Sequence, residues 1–206
     1  MPDRSIRCGV LGGTFDPPHR AHLAVAAAAR QHLALDRVLF IPAGDPWRKR
    51  GRGRDLSPAA VRLRLTRAAV EGLPWAHVSD VEVRRAGPSY TADTLETLAE
   101  SGGAWWFVLG ADALADMQYW HAPERIIAAA RLAVVRRPGA GANADLVPSA
   151  LRALLPEIDT RIDFVPFVPD AVSSTALRTT IASGGATDGV VPARVRALID
   201  ELGLYR

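Results

Sequence analysis

The chain has 206 residues, of which 49% are hydrophobic and 23% are charged, and its formal net charge is +3. This composition excludes a mostly disordered chain and is typical of a protein with one sizeable core. Lys49 is the single lysine among 25 basic residues. Because an excess of arginine can reflect genome composition, the basic balance of the chain is only weak evidence for an anionic partner. Cys8 is the single cysteine, which excludes an intrachain disulfide and a cysteine-based zinc site.

Six short runs rich in β-branched and aromatic residues predict strands. In chain order these runs cover residues 6–11, 37–42, 77–83, 105–110, 131–136 and 161–167. Helical patterns are found near residues 19–33, 58–71, 92–100, 113–129, 145–155, 175–183 and 192–202. Strands that alternate with helices predict right-handed βαβ units on a mainly parallel sheet.

The first residues of the sequence and its longest apolar runs indicate where in the cell the protein is found. The first ten residues contain no apolar signal core, and no apolar run approaches the roughly 20 residues that cross a bilayer. We therefore expect a cytoplasmic protein that has no membrane partner.

The stretch GVLGGTFDPPHRAHL, residues 9–23, follows the first predicted strand directly. In an open parallel sheet, ligands bind beyond the carboxyl ends of the strands. Gly12 and Gly13 allow the backbone to approach a ligand closely, and Pro17-Pro18 stiffens the path into the next helix. These features predict a phosphate site, although the glycine spacing fits neither the P-loop nor the dinucleotide-binding fingerprint.

His19 and His22 are three residues apart, so they share one face of the helix that they begin. As metal ligands they need a third partner, and none of the other histidines lies at ligand spacing. A purely structural role stays open when spacing alone is considered. Beside a glycine turn, the pair is better explained as hydrogen-bond donors to phosphate oxygens.

The stretch VSSTALR, residues 172–178, places three hydroxyl side chains at a predicted helix start and Arg178 about one turn later. Hydroxyls, free main-chain amides and a guanidinium group suit an anion. Taken alone, the pattern is also that of an ordinary helix cap. Together with the first turn it indicates a second phosphate contact.

The loop AGDPWRKRGRGRDLS, residues 43–57, is glycine-rich and holds five basic residues. Two interpretations remain open from its composition: the loop closes on an anionic ligand, or it is a solvated tip.

The segments at residues 9–23 and 172–178 resemble the signatures of the nucleotidyltransferases that carry a G-G-T-F-D-P-x-H-x-x-H turn and a distal S-S-T-x-x-R motif. The resemblance implies transfer of a nucleotidyl group from a nucleoside triphosphate to a phosphate-bearing acceptor, with release of pyrophosphate. It also implies an α/β fold of the Rossmann-like, doubly wound type, with a mainly parallel sheet and helices on both faces. We predict one domain over residues 1–206, whose part from about residue 170 to 206 is a small helical subdomain carrying the S-S-T-x-x-R motif.

Three further segments resemble nicotinate mononucleotide adenylyltransferases within that superfamily. They are GPSYTADTL at 87–95, GADALADMQYW at 110–120 and VPARVRALIDELGLYR at 191–206. The implied reaction joins ATP and nicotinate mononucleotide to give nicotinate adenine dinucleotide and pyrophosphate, a step of NAD synthesis. The resemblance further implies that Mg²⁺ accompanies ATP, held mostly by phosphates and water.

The resemblance also assigns roles to individual residues. The implied catalytic residues are His19, His22 and Arg178. The implied ATP and phosphate contacts are Gly12, Gly13, Thr14, Phe15, Lys49, Asp112, Ser173, Ser174 and Thr175. The implied contacts to nicotinate mononucleotide are Asp16, Tyr90, Thr91, Trp120 and His121. In this site an indole stacks on the electron-poor ring, while main-chain amides near Thr91 and His121 meet the carboxylate.

Some alternatives remain open at this level. From the residues alone, Trp120 is also a candidate core residue and Asp112 a candidate helix cap. The family often has a His-Lys pair after the second strand, whereas this chain has Trp47 at the histidine position and Arg48 before Lys49, so the role of Lys49 is open. The oligomeric state is open as well, and self-association is one possibility.

Rival functions differ in acceptor or in class. The nearest is the same chemistry on nicotinamide mononucleotide or another phosphate acceptor. A non-catalytic nucleotide sensor keeps the phosphate contacts but loses those to the transition state, and the intact His19, His22 and Arg178 argue against it. A nucleic-acid binder is disfavoured, because the chain has no known recognition motif and little aromatic interleaving in the basic loop.

Overall fold

The computed structural model describes residues 5–46, 56–136, 146–168 and 172–206. In this part of the chain one sheet contains six strands, at Arg7–Gly13 (β1), Arg37–Pro42 (β2), Ala76–Val78 (β3), Ala104–Gly110 (β4), Arg131–Arg136 (β5) and Ile162–Pro166 (β6). Their order is β3-β2-β1-β4-β5-β6, which is the doubly wound order of Rossmann folds. The pairs β1–β4, β4–β5 and β5–β6 are parallel. The predicted fold class is therefore confirmed.

The helices of the described residues follow the strands along the chain. They are Arg20–His32 (α1), Ala59–Val70 (α2), Val81–Arg84 (α3), Thr91–Ala99 (α4), Ala111–Ala115 (α5), Pro123–Ala129 (α6), Ser149–Leu154 (α7), Ser174–Ala182 (α8) and Ala193–Glu201 (α9). Short 3₁₀ helices lie at Asp116–Tyr119 and Ile158–Arg161. Across the four described ranges, no helix is long and apolar enough to span a bilayer.

The chain folds into two compact units, each built from separate stretches of sequence. The first unit contains Met1–Leu11, Val25–Val38 and Tyr90–Pro169. The second contains Gly12–Ala24, Leu39–Ser89 and Asp170–Arg206. The single domain with a helical carboxyl-terminal part stays a prediction.

The core of the first unit is formed by strands that are apolar at nearly every position. In β4 the five residues Trp105–Leu109 are buried, and in β5 so are the four residues Leu132–Val135. Successive side chains of a strand point to opposite faces, so uninterrupted burial means that both faces of these strands are covered. Such burial explains why these strands are continuous apolar runs in the sequence and do not alternate between apolar and polar residues.

The core of the second unit is a cluster of helix side chains. Its buried members are Leu65, Ala69, Leu177, Ile181, Val191, Val195 and Ile199. They come from α2, α8 and α9 and from the segment before α9, and their spacing of four residues within each helix places them on one face. This packing holds the start of α8, where the predicted distal phosphate motif lies, within the second unit.

Two predicted elements are wrong in part. The strand predicted over 77–83 ends at Val78, and residues 81–84 form a helix instead. The side chain of Ser79 accepts a hydrogen bond from the main-chain N–H of Val81 at 3.4 Å, and such local bonds compete with strand pairing.

The helix predicted over 113–129 is interrupted at Trp120 and Ala122. Ala122 adopts a left-handed conformation with φ of 48°, and Pro123 begins the next helix. A residue before proline is disfavoured in the α-helical region, so Pro123 marks this boundary. The interruption leaves Trp120 and His121 on a connecting segment rather than inside a helix.

Candidate active site

The turn after β1 is built around the ring of Phe15. This side chain is fully buried, and its φ of 51° lies in the left-handed region that residues other than glycine adopt at a cost. A Cβ atom on Gly13 would lie 3.0 Å from the Phe15 ring, which explains the glycine. The His22 ring meets the same ring edge to face, with centroids 5.0 Å apart. Packing against Phe15 therefore fixes the path of the turn and the place of His22 together.

His19 and His22 lie against one another, with ring centroids 3.8 Å apart. The main-chain N–H of His19 donates to Nδ1 of His22 at 3.2 Å, so Nε2 carries the proton when the His22 ring is neutral. The His19 side chain is 4% exposed, and burial lowers its pKa to about 4. His19 is therefore uncharged at neutral pH, and its ring offers a neutral hydrogen-bonding group.

The start of α8 is attached to the same turn, within the second unit. Ser173 caps the helix, since its Oγ accepts from the N–H of Ala176 at 3.1 Å. Ser174 Oγ donates to the carbonyl of Pro17 at 3.0 Å, and Arg178 Nη1 donates to the carbonyl of Asp16 at 2.8 Å. The two sequence motifs thus meet in the folded chain, since Arg178 bonds a residue that lies 162 positions earlier.

A cleft of about 360 Å³ lies between the turn and the start of α8. Its polar lining comes from Thr14, the two histidines, Ser173–Thr175 and Arg178. No carboxylate belongs to the part of the lining that the structure describes. The partial positive charge at the start of α8 adds to the guanidinium and hydroxyl donors. Such a set of donors is suited to a polyphosphate.

Asp16 is 1% exposed, and its carboxylate is bonded inside the second unit. Oδ1 accepts from the hydroxyl of Tyr205 at 2.6 Å, and Oδ2 accepts from the main-chain N–H of Ser57 at 3.1 Å. Burial and the hydrogen bond to Asp16 raise the pKa of the Tyr205 hydroxyl. The direct contact of Asp16 with nicotinate mononucleotide stays a prediction.

Two residues of this region, Arg62 and Tyr205, have no role among the predictions from sequence. Arg62 on α2 is 2% exposed and donates to the carbonyls of Ser57, Thr14 and Gly44. A signal for Arg62 was present, because it shares the helical spacing of the buried Leu65, Thr66 and Ala69. No comparable pattern marks Tyr205, which adopts a φ of 63° near the end of the chain.

Four of the five residues predicted to contact nicotinate mononucleotide, Tyr90, Thr91, Trp120 and His121, belong to the first unit, whereas Asp16 belongs to the second. The rings of Tyr90 and His121 are stacked with centroids 4.1 Å apart. Thr91 is the first residue of α4, so its main-chain amide belongs to the helix start. The indole of Trp120 lies edge to face with Phe107, and its Nε1 is buried with no hydrogen-bond partner among the described residues. The segments at 90–91 and 120–121 are thus neighbours, as the predicted pocket requires.

A charged cluster connects the helices that carry these segments. Arg125 on α6 donates to Asp93 at 2.9 Å and to both carboxylate oxygens of Glu96 on α4. The same bonds raise the pKa of Arg125 and lower that of Glu96. Because these groups are partly exposed, the cluster is a modest source of stability that mainly aligns α4 with α6.

Three predicted site residues remain, which are Gly12, Lys49 and Asp112. Asp112 is exposed at the second position of α5, where Gly110 occupies the capping position, so Asp112 does not cap this helix. Gly12 is exposed near the end of β1. Trp47, Arg48 and Lys49 lie outside the described residues. Within the described ranges, no group of three or more His, Cys, Asp or Glu side chains is arranged to hold a metal ion.

Comparison with protein families gives one match that covers most of the chain. The model of the cytidylyltransferase-like family matches residues 10–180. This range contains both motifs and both nicotinate segments.

Two curated relatives illustrate the similarity over the full length. A protein of Bordetella pertussis named "Probable nicotinate-nucleotide adenylyltransferase" is 41% identical, over 97% of this chain and 98% of the relative. A protein of the same name from Roseiflexus is 42% identical, over 98% of this chain and 99% of the relative.

The Plasmodium falciparum nicotinic acid mononucleotide adenylyltransferase, solved with NaAD, has a TM-score of 0.74 at 15% identity, and the match covers 97% of both chains. That last likeness shows the fold alone.

Proposed function

The chain belongs to the cytidylyltransferase-like family and, within it, to the nicotinate-nucleotide adenylyltransferases, and we propose that it transfers the adenylyl group of ATP to nicotinate mononucleotide. The products are nicotinate adenine dinucleotide and pyrophosphate, so the enzyme acts in NAD biosynthesis. The proposal is supported at the level of the whole chain, because the relatives are matched over nearly their full length.

One observation carries the proposal at the level of the site: Arg178 Nη1 bonds the carbonyl of Asp16. This contact joins the distal motif to the glycine turn, beside a cleft whose described polar side chains are hydroxyls, imidazoles and a guanidinium, with no carboxylate among them. A cleft of this kind fits the triphosphate of a nucleotide and is unsuited to a cationic or apolar ligand.

The reaction that we propose is an in-line displacement. An oxygen of the acceptor 5′-phosphate forms a bond to the α-phosphorus of ATP, the bond from that phosphorus to the bridging oxygen breaks, and pyrophosphate leaves with the electron pair. The acceptor phosphate is already ionised at neutral pH, so no general base is required. Catalysis then consists of positioning and of charge stabilisation as the leaving group departs.

We assign the phosphate contacts to the residues of the cleft. Arg178, the hydroxyl of Thr175 and the main-chain amide of Ser174 hold the β- and γ-phosphates, and the start of α8 contributes its positive end. His22, with Nδ1 occupied by the N–H of His19, presents a protonated Nε2 to the developing charge. Neutral His19 supplies a second hydrogen-bonding group. Gly12, Gly13 and Thr14 supply main-chain amides at close range.

The acceptor is recognised by the segments of the first unit. The indole of Trp120 stacks on the pyridinium ring, while the amides near Thr91 and His121 meet the carboxylate. Main-chain donors favour a carboxylate over a carboxamide, which accounts for a preference for nicotinate over nicotinamide. Tyr90 keeps His121 in place through its ring contact. Asp112 is assigned to the ribose or adenine edge of ATP, and Lys49 and Phe15 to the phosphate side.

A divalent cation accompanies ATP in this proposal, and Mg²⁺ is the ion that we expect. The described lining of the cleft offers nitrogen and hydroxyl donors rather than carboxylates, so the chain fits a cation whose ligands are phosphate oxygens and water. When bound, the ion neutralises charge on the leaving pyrophosphate.

Label transfer tests the proposal directly. ATP labelled at the α-phosphorus is incubated with the protein, Mg²⁺ and nicotinate mononucleotide, and the products are separated. We expect the label in nicotinate adenine dinucleotide and none of it in pyrophosphate. Label that appears in AMP alone, with or without the acceptor, would indicate a hydrolase and contradict adenylyl transfer.

A further inference from the structure

The buried guanidinium of Arg62 joins three separate segments of the second unit. We propose that Arg62 is a positioning residue, which sets the path of the phosphate-binding turn without touching substrate; this inference rests on the proposed function. The segments are the turn itself at Thr14, the chain after β2 at Gly44 and the chain before α2 at Ser57.

The hydrogen bonds use the full width of the guanidinium fork. Nε donates to the Ser57 carbonyl at 2.9 Å, Nη1 to the Thr14 carbonyl at 2.9 Å and Nη2 to the Gly44 carbonyl at 3.2 Å. Three acceptors around one planar group fix its orientation, and the donors fix the three carbonyls in turn. A lysine ammonium has a single nitrogen and cannot reach three carbonyls arranged in this way.

Buried acidic groups compensate the charge of Arg62. Burial lowers the pKa of Arg62, and the charges of Asp16 and Glu82 act in the opposite direction and raise it. These two acidic residues are 1% and 8% exposed. Asp16 is also part of the same network, because its Oδ2 accepts from the N–H of Ser57 while Arg62 holds the carbonyl of Ser57. The peptide groups on both sides of Ser57 are thus tied to Asp16 and Arg62, and Tyr205 holds the other oxygen of Asp16.

Of the three residues that accept hydrogen bonds from Arg62, one belongs to the described lining of the cleft. Arg62 is 2% exposed and is not part of the described lining, whereas Thr14 is. The bond to the Thr14 carbonyl therefore transmits the position of Arg62 to the main chain that faces the phosphates. Close packing supports this route, since a Cβ on Gly44 would lie 2.0 Å from the carbonyl oxygen of Glu82. The segment at Gly44 has little freedom to compensate for a displaced guanidinium.

A merely structural arginine would give a different kinetic pattern. Its loss would lower the melting temperature, and the folded fraction would retain normal affinity for phosphate. A positioning residue changes the folded enzyme itself, so affinity for the polyphosphate and kcat both fall while the acceptor KM stays constant. The two roles are therefore separated by measurements made well below the melting temperature.

The test compares Arg62→Lys with Arg64→Lys on the same helix. Arg64 is exposed and pairs with Glu201 at 3.6 Å, so its replacement controls for the change of residue type. The first readout is the Kd of inorganic pyrophosphate by titration calorimetry, which needs no turnover. The second is kcat, the ATP KM and the nicotinate mononucleotide KM.

We expect Arg62→Lys to raise the pyrophosphate Kd and the ATP KM about 10-fold and to lower kcat about 10- to 100-fold, the range that a displacement of about 1 Å produces. The KM of nicotinate mononucleotide and all constants of Arg64→Lys should stay within twofold of the wild type. A folded Arg62→Lys protein with wild-type pyrophosphate affinity and kcat would overturn the proposal.

If Arg62→Lys does not fold, Arg62→Gln decides. The glutamine amide leaves no charge in the buried site, and its single nitrogen cannot bond all three carbonyls, so we expect a change in the same direction. Wild-type pyrophosphate affinity and kcat in folded Arg62→Gln would then overturn the proposal. Failure of the proposed function would appear separately, as a wild-type protein that binds pyrophosphate but does not turn over nicotinate mononucleotide.

Discussion

Arg178 Nη1 donates to the main-chain carbonyl of Asp16 at 2.8 Å, and Nη2 of the same guanidinium lies 3.4 Å from Thr175 Oγ1. One side chain thus links the glycine turn to the helix start that faces it. The guanidinium also lines the cleft. The glycine turn, itself a proposed phosphate contact, therefore orients the Arg178 side chain towards the same phosphate site. Binding and orientation depend on each other at this position.

Replacement of Arg178 by lysine should therefore weaken ATP binding and slow turnover. Lysine keeps the charge but loses the fork, and a charge-assisted hydrogen bond contributes about 1.5–3 kcal/mol. We expect kcat/KM for ATP to fall about 10- to 100-fold in steady-state assays. The control is Arg194→Lys on α9, an exposed residue paired with Glu71. Equal activity of the two variants would remove Arg178 from the phosphate site.

Replacement of His22 by alanine should lower kcat with little change in the fold. Loss of one preformed donor to a developing charge costs about 10²- to 10³-fold in kcat. His32→Ala, at the exposed end of α1, is the matched control and should retain wild-type kcat. Circular dichroism establishes that both variants are folded. Near-normal turnover of folded His22→Ala would exclude this residue from the chemistry.

Replacement of Gly13 by alanine should destabilise the protein. The added Cβ would lie 3.0 Å from the ring of Phe15, which is buried and has a left-handed φ, so the ring has little room to move. Overpacking of this kind costs about 1–3 kcal/mol of unfolding free energy.

Urea denaturation measures this loss. Gly110→Ala is the control, because Gly110 has a φ of −81° and no atom within 4 Å of a Cβ. Equal free energies of unfolding for the two variants would show that the turn adapts to a side chain at position 13.

The stability of the protein should depend on pH through His19. Burial lowers the pKa of His19 from 6.5 to about 4 in the folded chain, so the unfolded chain binds a proton first as the pH falls. Stability linked to this group is present above pH 6.5 and is lost as the pH falls towards 4. Melting temperatures of the wild type and of His19→Gln between pH 7 and pH 4 test this. The wild type should lose more stability than the variant, and parallel curves would contradict the assignment.

Much of the fold follows from local patterns of sequence. The strands β2 and β5 coincide with the predicted ranges 37–42 and 131–136, because each is a continuous apolar run between turn signals. Pro123 is a sequence signal for the start of a new helix at this position. The helical periodicity of apolar residues continues on both sides of it, and the prediction therefore joined two helices into one. The strand predicted at 77–83 failed because the Ser79 side chain forms a local hydrogen bond with Val81, and Asp80 occupies the N-cap position of a short helix.

Contacts between distant residues are harder to read. The motifs around His19 and Arg178 could be recognised, but the bond between Arg178 and Asp16 depends on how α8 packs in the second unit. Arg62 carries the spacing of a buried residue, yet nothing local indicates that its partners are the carbonyls of Thr14 and Gly44. Tyr205 reaches Asp16 across 189 positions, and only the folded chain reveals that contact.

Adenylyl transfer from ATP to nicotinate mononucleotide is tested by measuring pyrophosphate release with ATP and Mg²⁺. Nicotinate mononucleotide, nicotinamide mononucleotide and phosphopantetheine are compared in parallel as acceptors. We expect strong preference for nicotinate mononucleotide, because the acceptor site that we propose at 90–91 and 120–121 recognises a carboxylate through main-chain donors. Release that is confined to another acceptor would contradict the assigned acceptor pocket, and no release with any of the three would contradict the enzymatic function itself.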